Sequence, residues 1–209
     1  MNKYYGFSAQ DYFVMKMLNN KEGGWFLELG TNHPMGVNNT FLLEHKLGWK
    51  GLMIEYDNTY EHLYPVYRPR SRYLIADARK IDYVSELKNW NFPKDIDYLS
   101  FDLEADNRST LEVLELFDAT LLDEYRFATI TFEHDVYRGD FFETRKKSRE
   151  ILEKRGYVLV FADVMCNETY GPYEDWYVHP ALVDMERVAK VKTTESLHHL
   201  KIEQILDQI

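Results

Sequence analysis

Short apolar runs alternate with amphipathic stretches along most of the chain. The segments "GWFLELG", "GLMIEY", "RYLIAD", "DYLSFDLE", "FATITFEHD" and "YVLVFADV" are nearly continuous apolar runs bounded by polar or turn residues. Such runs predict strands buried on both faces. Between them "NTFLLEHKLG", "NTYEHLY", "VSELKNW", "STLEVLELF" and "RKKSREILEKRG" carry apolar residues at helical spacing. Strand and helix therefore alternate repeatedly, which predicts an α/β fold: a mostly parallel, Rossmann-like sheet with helices on both faces, because right-handed crossovers place them there. The basic "EKRG" ending of one helix, with Gly156 just beyond, suits a helix C-terminus. Ser8 followed by Asp11 predicts an N-terminal helix carrying Tyr12, Phe13, Val14, Met17 and Leu18 up to "NNKEGG". At the other end Ile202, Ile205, Leu206 and Ile209 fall at i, i+3, i+4 and i+7. This closing helix either caps the core or joins a second copy of the chain.

Composition narrows the function classes. Asp and Glu outnumber Lys and Arg by 35 to 25, a net charge of −10. An acidic surface repels duplex DNA and anionic membranes, so no nucleic acid is expected as a partner. The single cysteine, Cys166, rules out an intramolecular disulfide and a multi-thiolate zinc site within one chain; it reads as a small buried apolar residue. Neither a cleavable leader nor a membrane span is evident, and a cytoplasmic protein is expected.

In an open parallel sheet, ligands bind outside the carboxyl ends of the strands, where strand order reverses. The residues there are Glu28, Gly30 and Thr31, then Glu55, Tyr56 and Asp57, then Asp77 and Ala78, then Asp102 and Glu104, and finally Glu133, His134 and Asp135. Every strand of the set ends in a carboxylate. A dinucleotide would bring a pyrophosphate, which wants glycines and bare N–H groups. S-adenosylmethionine brings a cationic sulfonium and ammonium and no phosphate, and opposite charges about 4 Å apart attract by roughly 4 kcal/mol at an effective dielectric near 20. Acid-rich strand ends favour the methyl donor over a nicotinamide cofactor. Gly30 gives the turn its freedom, Glu55 can accept both ribose hydroxyls, and Asp77 can accept from the adenine amino group.

Five segments then carry a resemblance to the FkbM-type branch of class I S-adenosylmethionine-dependent methyltransferases. "ELG", "HP" and "NNTFLLE" are similar to that family's first motif, and "LGWKGLMIEYD" to its second strand. "IDYLSFDLEADNRSTLEVLELFD" and "FATITFEHD" resemble its fourth and fifth strands, and "YEDWYVHPAL" a closing segment. The likeness spans residues 23–182 and leaves helical extensions at 1–22 and 183–209. It implies seven strands in the order 3-2-1-4-5-7-6 with the last antiparallel, and methyl transfer, usually to oxygen of a small molecule or sugar. It further implies that Glu28, Gly30 and Thr31 line the methionine side, that Glu55 holds ribose and that Asp77 with Ala78 meets adenine. Asn32, Asn39, Tyr56 and Asp102 complete the expected cofactor contacts. The chain departs from the family in two places. Ala105 stands where a glycine usually follows Glu104, and Asn32 where many methyltransferases have a second glycine, which would narrow the pocket.

An alcohol acceptor must lose a proton. Asp102, Glu133 and His134 are the expected catalytic residues, either as carboxylate and imidazole ligands to a divalent metal such as magnesium or with His134 as a lone general base. His33, His179, His198 and His199 read as exposed polar positions. Tyr173, Trp176 and Tyr177 read as packing under a last strand, with a substrate wall as the alternative. A methyltransferase-like scaffold serving as an interaction module is the competing class of function.

Overall fold

The computed structural model describes residues 3–165 and 171–209; Cys166 lies outside the described residues. Seven strands form one sheet in the order β3-β2-β1-β4-β5-β7-β6. They are β1 (Trp25–Leu29), β2 (Lys50–Glu55), β3 (Arg72–Ile75), β4 (Asp95–Phe101), β5 (Arg126–Glu133), β6 (Val158–Met165) and β7 (Pro172–Val178). The first five pair in parallel, whereas β7 runs antiparallel to both β5 and β6. The expected topology is thus the observed one. Strand order reverses between β1 and β4, and this is where the carboxyl ends open into a cleft.

Alternation along the strands divides the core. Phe26, Met53, Tyr98 and Trp176 pack on one face with the helices α1 (Gln10–Met17) and α2 (Phe41–Leu47). Leu27, Leu52, Leu99 and Tyr177 pack on the other with α4 (Tyr83–Asn89), α5 (Ser109–Leu116) and α6 (Phe142–Lys154), while the short α3 (Tyr64–Tyr67) follows β2. Beyond α6, Gly156 adopts φ +87° and Tyr157 N–H reaches back to the Leu152 carbonyl, closing the helix as its sequence predicts.

The termini differ in detail from expectation. The first helix starts at Gln10, after Ala9 in the left-handed region, and Asp11 does not cap it from solvent. Asp11 is fully buried and accepts from the Tyr5 and Tyr12 N–H groups, folding the preceding chain back over α1. The tail forms two short helices, α7 (Met185–Ala189) and α8 (His199–Leu206), and Ile202 and Leu206 of α8 are buried in the cluster that holds α1. Among the described residues no helix is long and apolar enough to cross a membrane.

Two of the buried carboxyls make stability depend on pH. Burial raises Asp11 to about 7, against its backbone hydrogen bonds, and raises Glu174 on β7 to about 8. Both values exceed those of an unfolded chain, so the stability from these groups is complete at acid pH and is lost as pH rises through about 7 and about 8. Each proton contributes a slope of up to about 1.4 kcal/mol per pH unit within that window. Glu174→Gln should therefore flatten the fall in unfolding free energy between about pH 6 and 8.5, measured by urea denaturation. A variant with the same slope as the parent would show that Glu174 is already ionised in the fold.

Candidate active site

A cleft of ≈ 730 Å³ lies over the carboxyl ends of β1 to β5. Gly30, the first residue past β1, sits at its floor with φ +80°. A Cβ at this position would lie 1.7 Å from the Asp102 carbonyl oxygen, so the turn admits only glycine. Asn32 follows in the left-handed region at φ +51°, a conformation asparagine tolerates better than most residues. Its N–H donates to Glu55 Oε2 at 2.6 Å and its carbonyl accepts from Tyr64 Oη at 2.8 Å. Asn32 thus meets the conformational demand that a second glycine would serve, and it borders the cleft. Thr31 also borders it, and its buried hydroxyl makes no hydrogen bond. Ala105 is buried with no left-handed backbone, so a glycine is not required there.

Five carboxyl groups line the cleft (Glu55, Asp77, Asp102, Glu104 and Glu133), against the guanidinium groups of Arg79 and Arg138. The expected acidic edge is present among the described residues. Glu55 at the end of β2 is held by three backbone donors, the N–H groups of Asn32, Tyr56 and Asp57. Tyr56 stands 77% exposed at the rim. Asp77 and Ala78 border the cleft beyond β3. The Asp77 carboxylate is engaged by Arg79, which donates from Nε and Nη2 at 2.9 Å each and holds it down to about 2. It meets an adenine amino group only as an already paired acceptor. Glu104 does not cap α5 with its side chain; its backbone carbonyl accepts from Ser109 Oγ.

Asp102 and Glu133 come together at the cleft floor, as adjacent strands β4 and β5 require. Solvent reaches Asp102 through the cleft, while protein surrounds it on the other sides. Burial and the nearby carboxylates push both groups upward, Glu133 well above the usual carboxylate range, because two close like charges cannot both ionise cheaply. Asn39 does not border the cleft; its amide donates to Asp102 Oδ2 at 3.2 Å and Ser100 Oγ at 3.1 Å and steadies the acid from behind.

Two expected site residues lie elsewhere. Glu28 is inside β1, not past its end, and its side chain is 1% exposed on the face away from Leu27 and Leu29. It accepts from Thr40 Oγ1 at 2.9 Å and lies 3.8 Å from the Arg68 guanidinium. Glu28 braces the loop after β1 instead of lining the methionine side. His134 is fully buried and aimed away from Asp102, since consecutive residues on extended backbone project to opposite faces. Its Nε2 lies 3.5 Å from Asp163 Oδ1 and 3.7 Å from Asp175 Oδ1.

This placement removes both expected routes through His134. The set Asp102, Glu133 and His134 is not assembled, because His134 faces away from the two acids. His134, Asp163 and Asp175 do bring ligand-type atoms within 4.8 Å of one another. Arg145 and Arg149 occupy those carboxylates, however: Arg149 donates to Asp175 at 2.7 and 2.8 Å, and Arg145 to Asp163 at 2.9 Å. The cluster is a balanced ion-pair network whose carboxylates are already taken by arginines, and it does not fit a divalent metal.

Tyr173 borders the cleft, whereas Trp176 and Tyr177 are fully buried packing. Tyr173 Oη donates to Glu174 Oε1 at 2.6 Å and accepts from Gln10 Nε2 at 3.0 Å. Arg68, fully buried, donates to Glu44, Asn38 and Thr40 and so fixes the loop that follows Gly30. No short-range pattern marks such a residue, because its partners lie on β1 and α2.

No protein-family model matches the sequence, and no curated protein matches it. Solved structures do match the fold. A TehB-like SAM-dependent methyltransferase from Corynebacterium glutamicum superposes with a TM-score of 0.53 at 16% identity, covering 84% of this chain and 89% of that one. A methyltransferase from Pyrococcus furiosus gives 0.53 at 14% identity over 82% of each chain. TrmK from M. capricolum, in complex with S-adenosylhomocysteine, gives 0.54 at 12% identity over 93% of this chain and 73% of that one. The chain shares the Rossmann-like methyltransferase fold with these proteins.

Proposed function

We propose that the chain is an S-adenosylmethionine-dependent methyltransferase that methylates a hydroxyl oxygen of a small molecule or sugar. The observation that carries this reading is the glycine-only contact between Gly30 and the Asp102 carbonyl at the floor of a cleft rich in carboxylates. Such a floor suits a cationic ligand that lies close against backbone. The segments "ELG", "LGWKGLMIEYD" and "FATITFEHD" support placing the chain in the FkbM-type branch of that fold.

Bound S-adenosylmethionine supplies an electrophilic methyl group on a cationic sulfur. Glu55, its geometry set by three N–H groups, would hold the ribose hydroxyls. Asp77 and Ala78 would border adenine, and Gly30, Thr31 and Asp102 the methionine end. The adjacent acids Asp102 and Glu133 would take the place expected for His134. A carboxylate raised by burial is a stronger base than a solvated one and accepts the proton of an incoming hydroxyl more readily. Activity should therefore rise with pH as the raised carboxyls ionise.

The test follows labelled methyl from S-adenosylmethionine onto a mixture of hydroxyl compounds. Asp102→Asn should weaken donor binding by at least about tenfold and abolish transfer, because it removes the charge at the cleft floor. His134→Ala should leave donor affinity within about threefold of the parent while lowering stability. Strong donor binding by the Asp102 variant, or its loss in the His134 variant alone, would contradict these assignments.

A further inference from the structure

The acceptor end of the cleft has a wall of its own. Beyond the donor-side residues, the remaining lining comes from the N-terminal segment, the loop after β1 and the ends of β5 and β7. Phe7 is 56% exposed there and Val37 is 64% exposed, both bordering the cleft. Val37 holds φ +54°, a region that β-branched residues rarely adopt, and strain of this kind concentrates at ligand sites.

Neither exposure reflects a loose backbone. Asn38, next to Val37, accepts from Arg68 and from the Thr40 and Phe41 N–H groups, and His33 Nδ1 accepts from Met35 and Gly36 N–H. Beside Phe7, Gly6 packs so tightly that a Cβ would come within 2.9 Å of Asn39 Oδ1, and Tyr5 stacks on Phe41 at 4.8 Å. The N-terminal segment is thus docked on the loop that presents Val37, and both apolar side chains border the cleft.

The polar groups lining the cleft exclude charged acceptors. Both described cations that line the cleft are committed, Arg138 to Asp135 at 2.8 Å and to Glu104 at 3.5 Å, and Arg79 to Asp77. A phosphate or carboxylate entering there would meet acids and no free cation. A basic amine would arrive as an ammonium, without the lone pair that attacks. Building on the methyl-transfer reading above, we propose that the acceptor is an uncharged compound presenting its hydroxyl on an apolar body, selected by Phe7 and Val37.

Ligand-observed NMR with a matched pair of probes tests this in the full chain with S-adenosylhomocysteine present. 4-Propylphenol should bind at least about tenfold more tightly than 4-propylbenzoate, and Phe7→Asp and Val37→Asp should each weaken the phenol by at least about fivefold. Calorimetry should show unchanged S-adenosylhomocysteine affinity in both variants, which separates a lost apolar contact from a lost fold. Equal binding of the two probes, or variants that bind the phenol like the parent, would overturn the proposal. Phenol selectivity without any S-adenosylhomocysteine binding would uphold the apolar contact and overturn the methyl-transfer reading instead.

Discussion

Gly30→Ala is expected to abolish donor binding. The new Cβ would lie 1.7 Å from the Asp102 carbonyl oxygen, which belongs to backbone and cannot rotate away. Relief requires the turn after β1 to move off the end of β4, and this displaces both Thr31 and Asp102 at the cleft floor. The left-handed backbone adds a further roughly 1–2 kcal/mol for any L side chain. We expect at least about a hundredfold loss of affinity for S-adenosylhomocysteine, equivalent to about 2.7 kcal/mol, together with a lower melting temperature. Isothermal titration at a temperature where the variant is folded separates the two effects. Binding at the parental level would mean that the ligand does not approach this turn.

Arg68→Met is expected to give the largest loss of stability. The Arg68 guanidinium is fully buried, donating from Nε to Glu44 at 2.9 Å, from Nη1 to Asn38 at 3.0 Å and from Nη2 to Thr40 at 2.6 Å. Removing it leaves the buried Glu28 and Glu44 without their cation. Breaking one side of a buried ion pair costs about 3–5 kcal/mol, roughly 6–20 °C of melting temperature for a chain of this size. Arg68→Lys should rescue little, because a single ammonium cannot make the forked set of bonds. Adding Glu44→Gln to Arg68→Met should recover part of the loss by removing the stranded charge. Urea denaturation of the single and double variants measures each step, and an Arg68→Met variant within 1 kcal/mol of the parent, on the order of one ordinary surface change, would show the network to be dispensable.

These two residues mark the limits of what the sequence discloses. Gly30 was legible because a glycine directly after a continuous apolar run has few other uses. Arg68 was not, since its meaning lies in partners on other elements. The strands of the parallel set declared themselves by apolar continuity, but "PYEDWYV" hides β7 behind two acids. Glu174 is accommodated there by burial in its raised state, and Asp175 by Arg149, neither of which leaves a local pattern. Glu28 lies between Leu27 and Leu29, and His134 follows Glu133, so strand alternation alone sends each to the face opposite its neighbour. For His134 the side of the sheet decides, whereas Glu28 shares its face with Asp102, pairing in register with Ser100, and sits too deep in β1 to border the cleft.

S-adenosylmethionine is expected to occupy the acid-lined cleft. Isothermal titration of the full chain with S-adenosylmethionine tests it most directly, with reduced nicotinamide cofactor as the control. A single site with a dissociation constant on the order of micromolar is expected for the methyl donor, with no heat from the nicotinamide. A folded protein that binds no donor up to about 500 μM, weaker than roughly −4.5 kcal/mol, would contradict it and leave a methyltransferase-like scaffold in its place.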